Sequence, residues 1–220
     1  MSATLKSQEI VKQRKKDGLP VYNFGLGANP MPISKVFSKE SFFETCATLG
    51  SPVVIITDEN VEKLYGKKIL KAFLQRGIQC SLISFPAGEE NKTREVKQEI
   101  EDQLIAMKAG RNTLLIGLGG GVVTDITGFL AATFLRGVSL VLIPTTLLAM
   151  VDASLGGKNG VNTPKGKNLI GSFYFPQRTW IDVSFLKTLD HQEKLYGLVE
   201  TIKHSLIADL GLFEELEMLS

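Results

Sequence analysis

The chain has 220 residues, ample for a buried core, and its 25 Lys and Arg against 23 Asp and Glu leave a net charge of only +2. That balance argues against a dedicated nucleic-acid binder, and an apolar content of 44% argues against disorder. Two cysteines, Cys46 and Cys80, cannot build a disulfide framework or a four-cysteine zinc knot, and the longest apolar run, 140–151, is broken by Pro144, Thr145 and Thr146, short of the roughly 20 residues a bilayer span needs.

The first residues, 1–35, mix both charge signs and then turn rich in Gly, Pro and Asn without periodicity, so they read as a lead-in or linker rather than a secretory signal. Together with the cysteine usage this suggests a cytoplasmic protein with no membrane or nucleic-acid partner. From 52 onward the pattern sharpens: PVVIITD predicts a short buried strand, and 61–73 carries apolar residues at helical spacing. A second strand is expected over 80–85. It is followed by a helix in which Val96, Ile100, Leu104 and Met107 recur every three to four residues. A third strand over 113–118, a glycine-started helix over 121–135 and a fourth strand over 140–143 complete an alternation that implies an α/β fold with a parallel sheet. Beyond Pro144 a long glycine- and lysine-bearing loop is expected over 152–171, then a short strand TWIDV, a helical stretch over 192–208 and a last helix over 212–219.

In a parallel α/β sheet, ligands lie beyond the carboxyl ends of the strands. The first strand ends in Asp58, with Asn60 following. A carboxylate there can accept both hydroxyls of an adenosine ribose, or it can cap the next helix. The second ends near Glu89 and Lys92, which suit either a ligand or a helix start. The third ends in GLGGGVVTD, whose Gly119, Gly120 and Gly121 open a helix with free amides suited to a pyrophosphate, with Asp125 one turn inside. Neither common nucleotide loop fits: a Rossmann fingerprint from Gly117 meets Val122 where glycine is needed, and a P-loop around Gly157 and Lys158 meets Asp152. The stretch from Asp152 through Lys158, Asn162, Lys165, Lys167 and Asn168 offers amines for phosphate and amides for hydroxyls, as a phosphorylated polyol requires. Further on, Glu200, Lys203 and His204 share one helical stretch, readable as half a metal site or as a solvated face.

Taken together, TDENV, GEENK, GLGGGVVTDITGF, FLRGV, IPTTLLAMVDASLGGKNGVN, KGKNLIG and GLVETIKH make the chain resemble the 3-dehydroquinate synthases of the sugar-phosphate cyclase family. The resemblance implies a Rossmann-like NAD-binding α/β domain over 36–185, followed over 186–220 by the beginning of an all-α metal-binding domain. It implies that Asp58, Asn60, Glu89, Lys92, Gly120, Gly121, Val122, Asp125, Thr145, Thr146, Lys158, Lys167, Thr188 and Glu193 contact NAD. Asp152, Lys158, Asn168 and Lys203 would serve the catalytic cleft, and Arg136 would reach the substrate phosphate of a partner subunit in a homodimer. Glu200 would be one ligand of a divalent metal, zinc or cobalt. The two histidines that complete the family's site would fall beyond Ser220, so little turnover is expected of these residues alone. His204 stands where the family usually has tyrosine and is not counted as a ligand; Thr124 replaces a usual glycine and Asn159 a usual threonine. The implied reaction converts 3-deoxy-arabino-heptulosonate 7-phosphate to 3-dehydroquinate and phosphate. A sister cyclase, a metal-dependent alcohol dehydrogenase and a non-catalytic NAD-binding module remain alternatives.

Overall fold

Residues 39–218 are described by the structure, a computed structural model, so the lead-in expected over 1–35 lies outside the described residues. Helix α1 (Glu40–Leu49) has no counterpart in the sequence reading. It turns Phe42, Phe43 and Cys46 inward, and Phe42 meets Phe43, Phe73 and Trp180 edge-on, with ring centroids 5.1, 5.8 and 5.3 Å apart.

Strands β1 (Val53–Asp58), β2 (Cys80–Phe85), β3 (Leu114–Gly119) and β4 (Ser139–Pro144) form a parallel sheet, joined at its edge by the two-residue β7 (Arg178–Thr179). The order is β2-β1-β3-β4-β7. Sequence order therefore reverses between β1 and β3, which opens a crevice at their carboxyl ends. Helices α2 (Lys67–Gln75), α3 (Arg94–Ala106) and α4 (Gly121–Thr133) are the crossovers. Because side chains alternate along a strand, Val53, Ile55, Leu114 and Ile116 join one core and Val54, Ile56 and Leu115 the other. This two-sided burial explains why the strands read as continuous apolar runs. Cys46 and Cys80 are free thiols in this interior, and burial pushes both upward, Cys80 to about 12.

Three expectations need correction. Met107 caps the C-terminus of α3 and is 46% exposed, so only Val96, Ile100 and Leu104 of that stripe are core. The stretch 152–171 is not a loop: after a π-helical turn (Ala149–Ala153) it forms an antiparallel hairpin, β5 (Lys158–Thr163) and β6 (Gly166–Phe173). Gly160 pairs with Gly171, and a Cβ at Gly160 would lie 2.7 Å from the Ile170 carbonyl oxygen, so the glycines allow close strand approach rather than flexibility. TWIDV contributes only Thr179 to a strand. The chain ends in α5 (His191–Ala208) and α6 (Leu210–Glu217), and no helix among the described residues is long and apolar enough to cross a membrane.

Candidate active site

A cavity of about 1000 Å³ lies over the sheet's carboxyl edge, roofed on the far side by the hairpin and by the segment leading into α5. At the end of β1, Asp58 accepts the amides of Asn60 and Val61, both at 2.9 Å and both on Oδ1. It is therefore a helix cap, and it lines the cavity as well. Burial holds its carboxyl above the ordinary 3.8, outweighing the two amides. At the end of β3, Gly120 precedes α4 with no side chain capping the helix, so the first-turn amides remain available to an anion. A Cβ on Gly120 would sit 2.9 Å from Thr146 Cγ2, a tight fit that favours glycine. Thr124 gives no obstruction: its side chain is fully buried, donates to the Gly121 carbonyl at 3.0 Å and does not line the cavity.

Lys92 is not a helix cap. Thr93 caps α3 by accepting the Val96 amide at 3.2 Å. Lys92, only 4% exposed, instead turns its ammonium between Asp125, with which it is ion-paired, and Asn168 Oδ1 at 2.6 Å. Burial raises the Asp125 carboxyl above its usual value, and the Lys92 charge works against that rise. Around this pair a polar network docks the hairpin on the strand ends. The Asn162 amide donates to the Lys92 carbonyl at 2.7 Å, Asn162 Nδ2 to Glu89 Oε1 at 2.8 Å and the Asn168 amide to Asn162 Oδ1 at 3.0 Å. Lys167 reaches Glu89 at 3.6 Å. Asn168 takes a left-handed φ of 56° to do so. Asn159 ties the hairpin's base by donating to the Gly157 and Tyr174 carbonyls at 2.8 and 2.9 Å.

Across the opening, α5 is seated by Gly197, where a Cβ would come within 2.5 Å of Leu147 Cβ and 2.6 Å of the Leu148 amide nitrogen. That close approach places Glu200 and His204, one turn apart on α5, beside Asp152 of the π turn. Donor atoms of the three lie within 4.8 Å of one another. Two carboxylates and an imidazole are a donor set that fits a divalent cation of zinc or cobalt type. Glu200 is ion-paired with Lys203, whose ammonium is held above its ordinary value chiefly by that carboxylate.

Sixteen of the residues expected in the site line this one cavity: Asp58, Asn60, Glu89, Lys92, Gly120, Gly121, Val122, Asp125, Thr145, Thr146, Asp152, Lys158, Lys167, Asn168, Thr188 and Glu193. Glu200 and Lys203 do not line it, but connect to it through Asp152. Arg136 is exposed at the far end of α4, away from the cavity, with a left-handed φ of 68°. The sequence reading missed Tyr65 and Tyr196, which also line the cavity. Tyr65 hydrogen-bonds Thr188 and packs its ring 4.7 Å from Phe185. Its place in the apolar stripe of 61–73 disguises it as core.

A parallel sheet with a switch point between β1 and β3, an uncapped glycine turn at that point and a polar cavity above it define a Rossmann-like α/β protein with its ligand cleft at the strand ends. A family model described as 3-dehydroquinate synthase N-terminal matches residues 82–196, more than half of the chain, and the chain belongs to that family. A 3-dehydroquinate synthase of Acaryochloris marina (strain MBIC 11017) is 49% identical over 169 residues, which are 77% of this chain and 45% of that protein. Among solved structures, 2-epi-5-epi-valiolone synthase from Streptomyces hygroscopicus subsp. jinggangensis 5008, with NAD+ and Zn2+ bound, matches with a TM-score of 0.77 at 31% identity, over 89% of this chain and 55% of that one. A 2-deoxy-scyllo-inosose synthase complexed with carbaglucose-6-phosphate, NAD+ and Co2+ matches with a TM-score of 0.73 at 27% identity, over 80% of this chain and 48% of that one. The chain spans about half the length of the curated relatives it matches.

Proposed function

We propose that residues 36–185 form the NAD-binding domain of a 3-dehydroquinate synthase and that 186–220 open its helical metal-binding domain. The activity would convert 3-deoxy-arabino-heptulosonate 7-phosphate to 3-dehydroquinate and phosphate. One observation carries this reading: the glycine turn at the end of β3 and the lysine-bearing hairpin face the same cavity, so a dinucleotide and a phosphorylated polyol can meet there. Relatives solved with NAD+ and either Zn2+ or Co2+ support the cofactor pair.

In this reading Asp58 and Asn60 accept ribose hydroxyls, the amides after Gly120 hold the pyrophosphate, and Lys92 neutralises Asp125 so that the phosphates meet no unpaired carboxylate. Glu89, Thr145, Thr146, Lys167, Thr188 and Glu193 complete the dinucleotide's surroundings. Asp152, Lys158, Asn168 and Lys203 face the substrate, and Arg136 serves a substrate phosphate across a homodimer interface. Bound NAD and the divalent metal would supply reversible hydride acceptance and acidification of the substrate alcohol. The chain's own residues hold the polyol against the nicotinamide and surround its phosphate with ammonium groups, so that positioning and charge do most of the work.

Calorimetric titration of the chain with NAD tests this. Saturable heat is expected, and none at millimolar NAD would overturn the proposal. With NAD present, the heptulosonate phosphate should bind more tightly than glucose 6-phosphate or sedoheptulose 7-phosphate. The reverse order would indicate a sister cyclase, and preference for glycerol a metal-dependent alcohol dehydrogenase.

A further inference from the structure

We infer that His204, with Glu200 and Asp152, forms a three-ligand divalent-cation site contained within this chain. The inference extends the proposed metal at Glu200, on which it rests, by assigning the nitrogen ligand and a second carboxylate.

Three separate features converge on it. First, a spacing of four residues on α5 puts Glu200 and His204 on one face, and the π-helical turn of 149–153 brings Asp152 up to that face from the opposite wall. Second, although 43% of the His204 side chain is exposed, its Nε2 is shielded from solvent and has no hydrogen-bond partner among the described residues. The reactive nitrogen is turned inward, toward Asp152 Oδ1 at 3.7 Å, too far for a hydrogen bond. Two donors each roughly 2.1 Å from an ion at a tetrahedral angle would stand about 3.4 Å apart, close to what this pair shows. Third, the contact at Gly197 that brings α5 this near leaves no room for any side chain, so the approach of the two walls is built into the packing.

The charge pattern agrees. Asp152 and Glu200 contribute two carboxylates, and Lys203 pairs with one of them through one oxygen. A carboxylate retains further lone-pair sites beyond a single ion pair. One imidazole and two carboxylates select a borderline cation such as zinc or cobalt over calcium or magnesium, and three protein ligands leave a coordination position open toward the cavity that Asp152 lines.

The test is titration of the tag-free chain with cobalt(II) chloride, followed by visible absorption and by proton NMR for hyperfine-shifted exchangeable imidazole resonances. The chain has only two histidines, His191 and His204. Saturable cobalt binding with one such resonance, retained in His191→Gln, supports the inference and identifies His204 even without a variant at that position. His204→Gln should abolish the resonance and weaken cobalt at least about tenfold, since even loss of a group that merely orients a ligand costs roughly 10–100-fold. Glu200→Gln should weaken it comparably. Absence of cobalt binding, or binding that His204→Gln leaves unchanged with its fold intact by circular dichroism, overturns the inference. The NAD titration keeps the two proposals apart. NAD binding without His204-dependent cobalt binding sinks only this one, and cobalt binding without NAD binding sinks only the functional reading.

Discussion

The wall of the cleft made by the strand ends and the wall made by α5 are held by different amounts of buried surface. Behind the first, Ile116, Leu118, Val123 and Ile143 are all 0% exposed, and the Lys92–Asp125 pair locks the hairpin over them. On the second, α5 buries only Gly197 and Ser205, while Val199, Leu206 and Ile207 are 63, 56 and 76% exposed. The difference teaches that the cofactor-facing geometry is fixed by the core of the α/β unit. The Glu200 and His204 side of the site, by contrast, depends among the described residues on one close helix contact.

If that contrast is right, Lys92→Met should have the largest effect. It strands the buried Asp125 carboxylate and should lower stability by about 3 kcal/mol in urea unfolding; a change near zero would mean the pair does not anchor the first wall. Next comes Gly120→Val, whose side chain enters the space beside Thr146. It should weaken NAD by about 2 kcal/mol, roughly thirtyfold in calorimetry, with a smaller change in melting temperature. Gly197→Ala acts on the other wall. Overpacking against Leu147 should cost about 1 kcal/mol, and hydrogen exchange should quicken in α5 while the amides of β3 and α4 stay protected. Equal acceleration in both would erase the distinction.

The smallest effect should come from Asp58→Asn, about 1 kcal/mol in NAD affinity. It carries a pH signature. The ionised carboxylate is the form that accepts ribose hydroxyls, and burial holds its pKa above 3.8. NAD affinity should therefore fall as pH is lowered through that raised value, beginning at a higher pH than for an exposed aspartate. Titrations of Asp58→Asn should lack this component of the fall.

Much of the first wall was legible in the sequence because it is written locally. Runs such as VVIITD and LLIGLG are apolar on both faces, end in glycine or a carboxylate, and are followed by helical periodicity. The hairpin was not legible. Its strands, KNGVNT and GKNLIGSF, are poor in β-branched residues, and what makes them strands is the pairing of Gly160 with Gly171 and the docking of Asn162 on Glu89 and Lys92. Helix α1 escaped notice because its inward face rests on only Phe42, Phe43 and Cys46. For Asp58, the choice between cap and ligand contact dissolved: it accepts two cap amides on one oxygen and still borders the cavity.

By itself the sequence determined the strand-and-helix alternation, the glycine turn and the family, since these rest on short-range periodicity, backbone freedom and ordered motifs. Only the tertiary structure decided that Lys92 belongs to Asp125 and Asn168, and that His204 turns its nitrogen toward Asp152. Those partners are far apart along the chain, and only the packing of helices and hairpin on the sheet brings their side chains within a few ångströms.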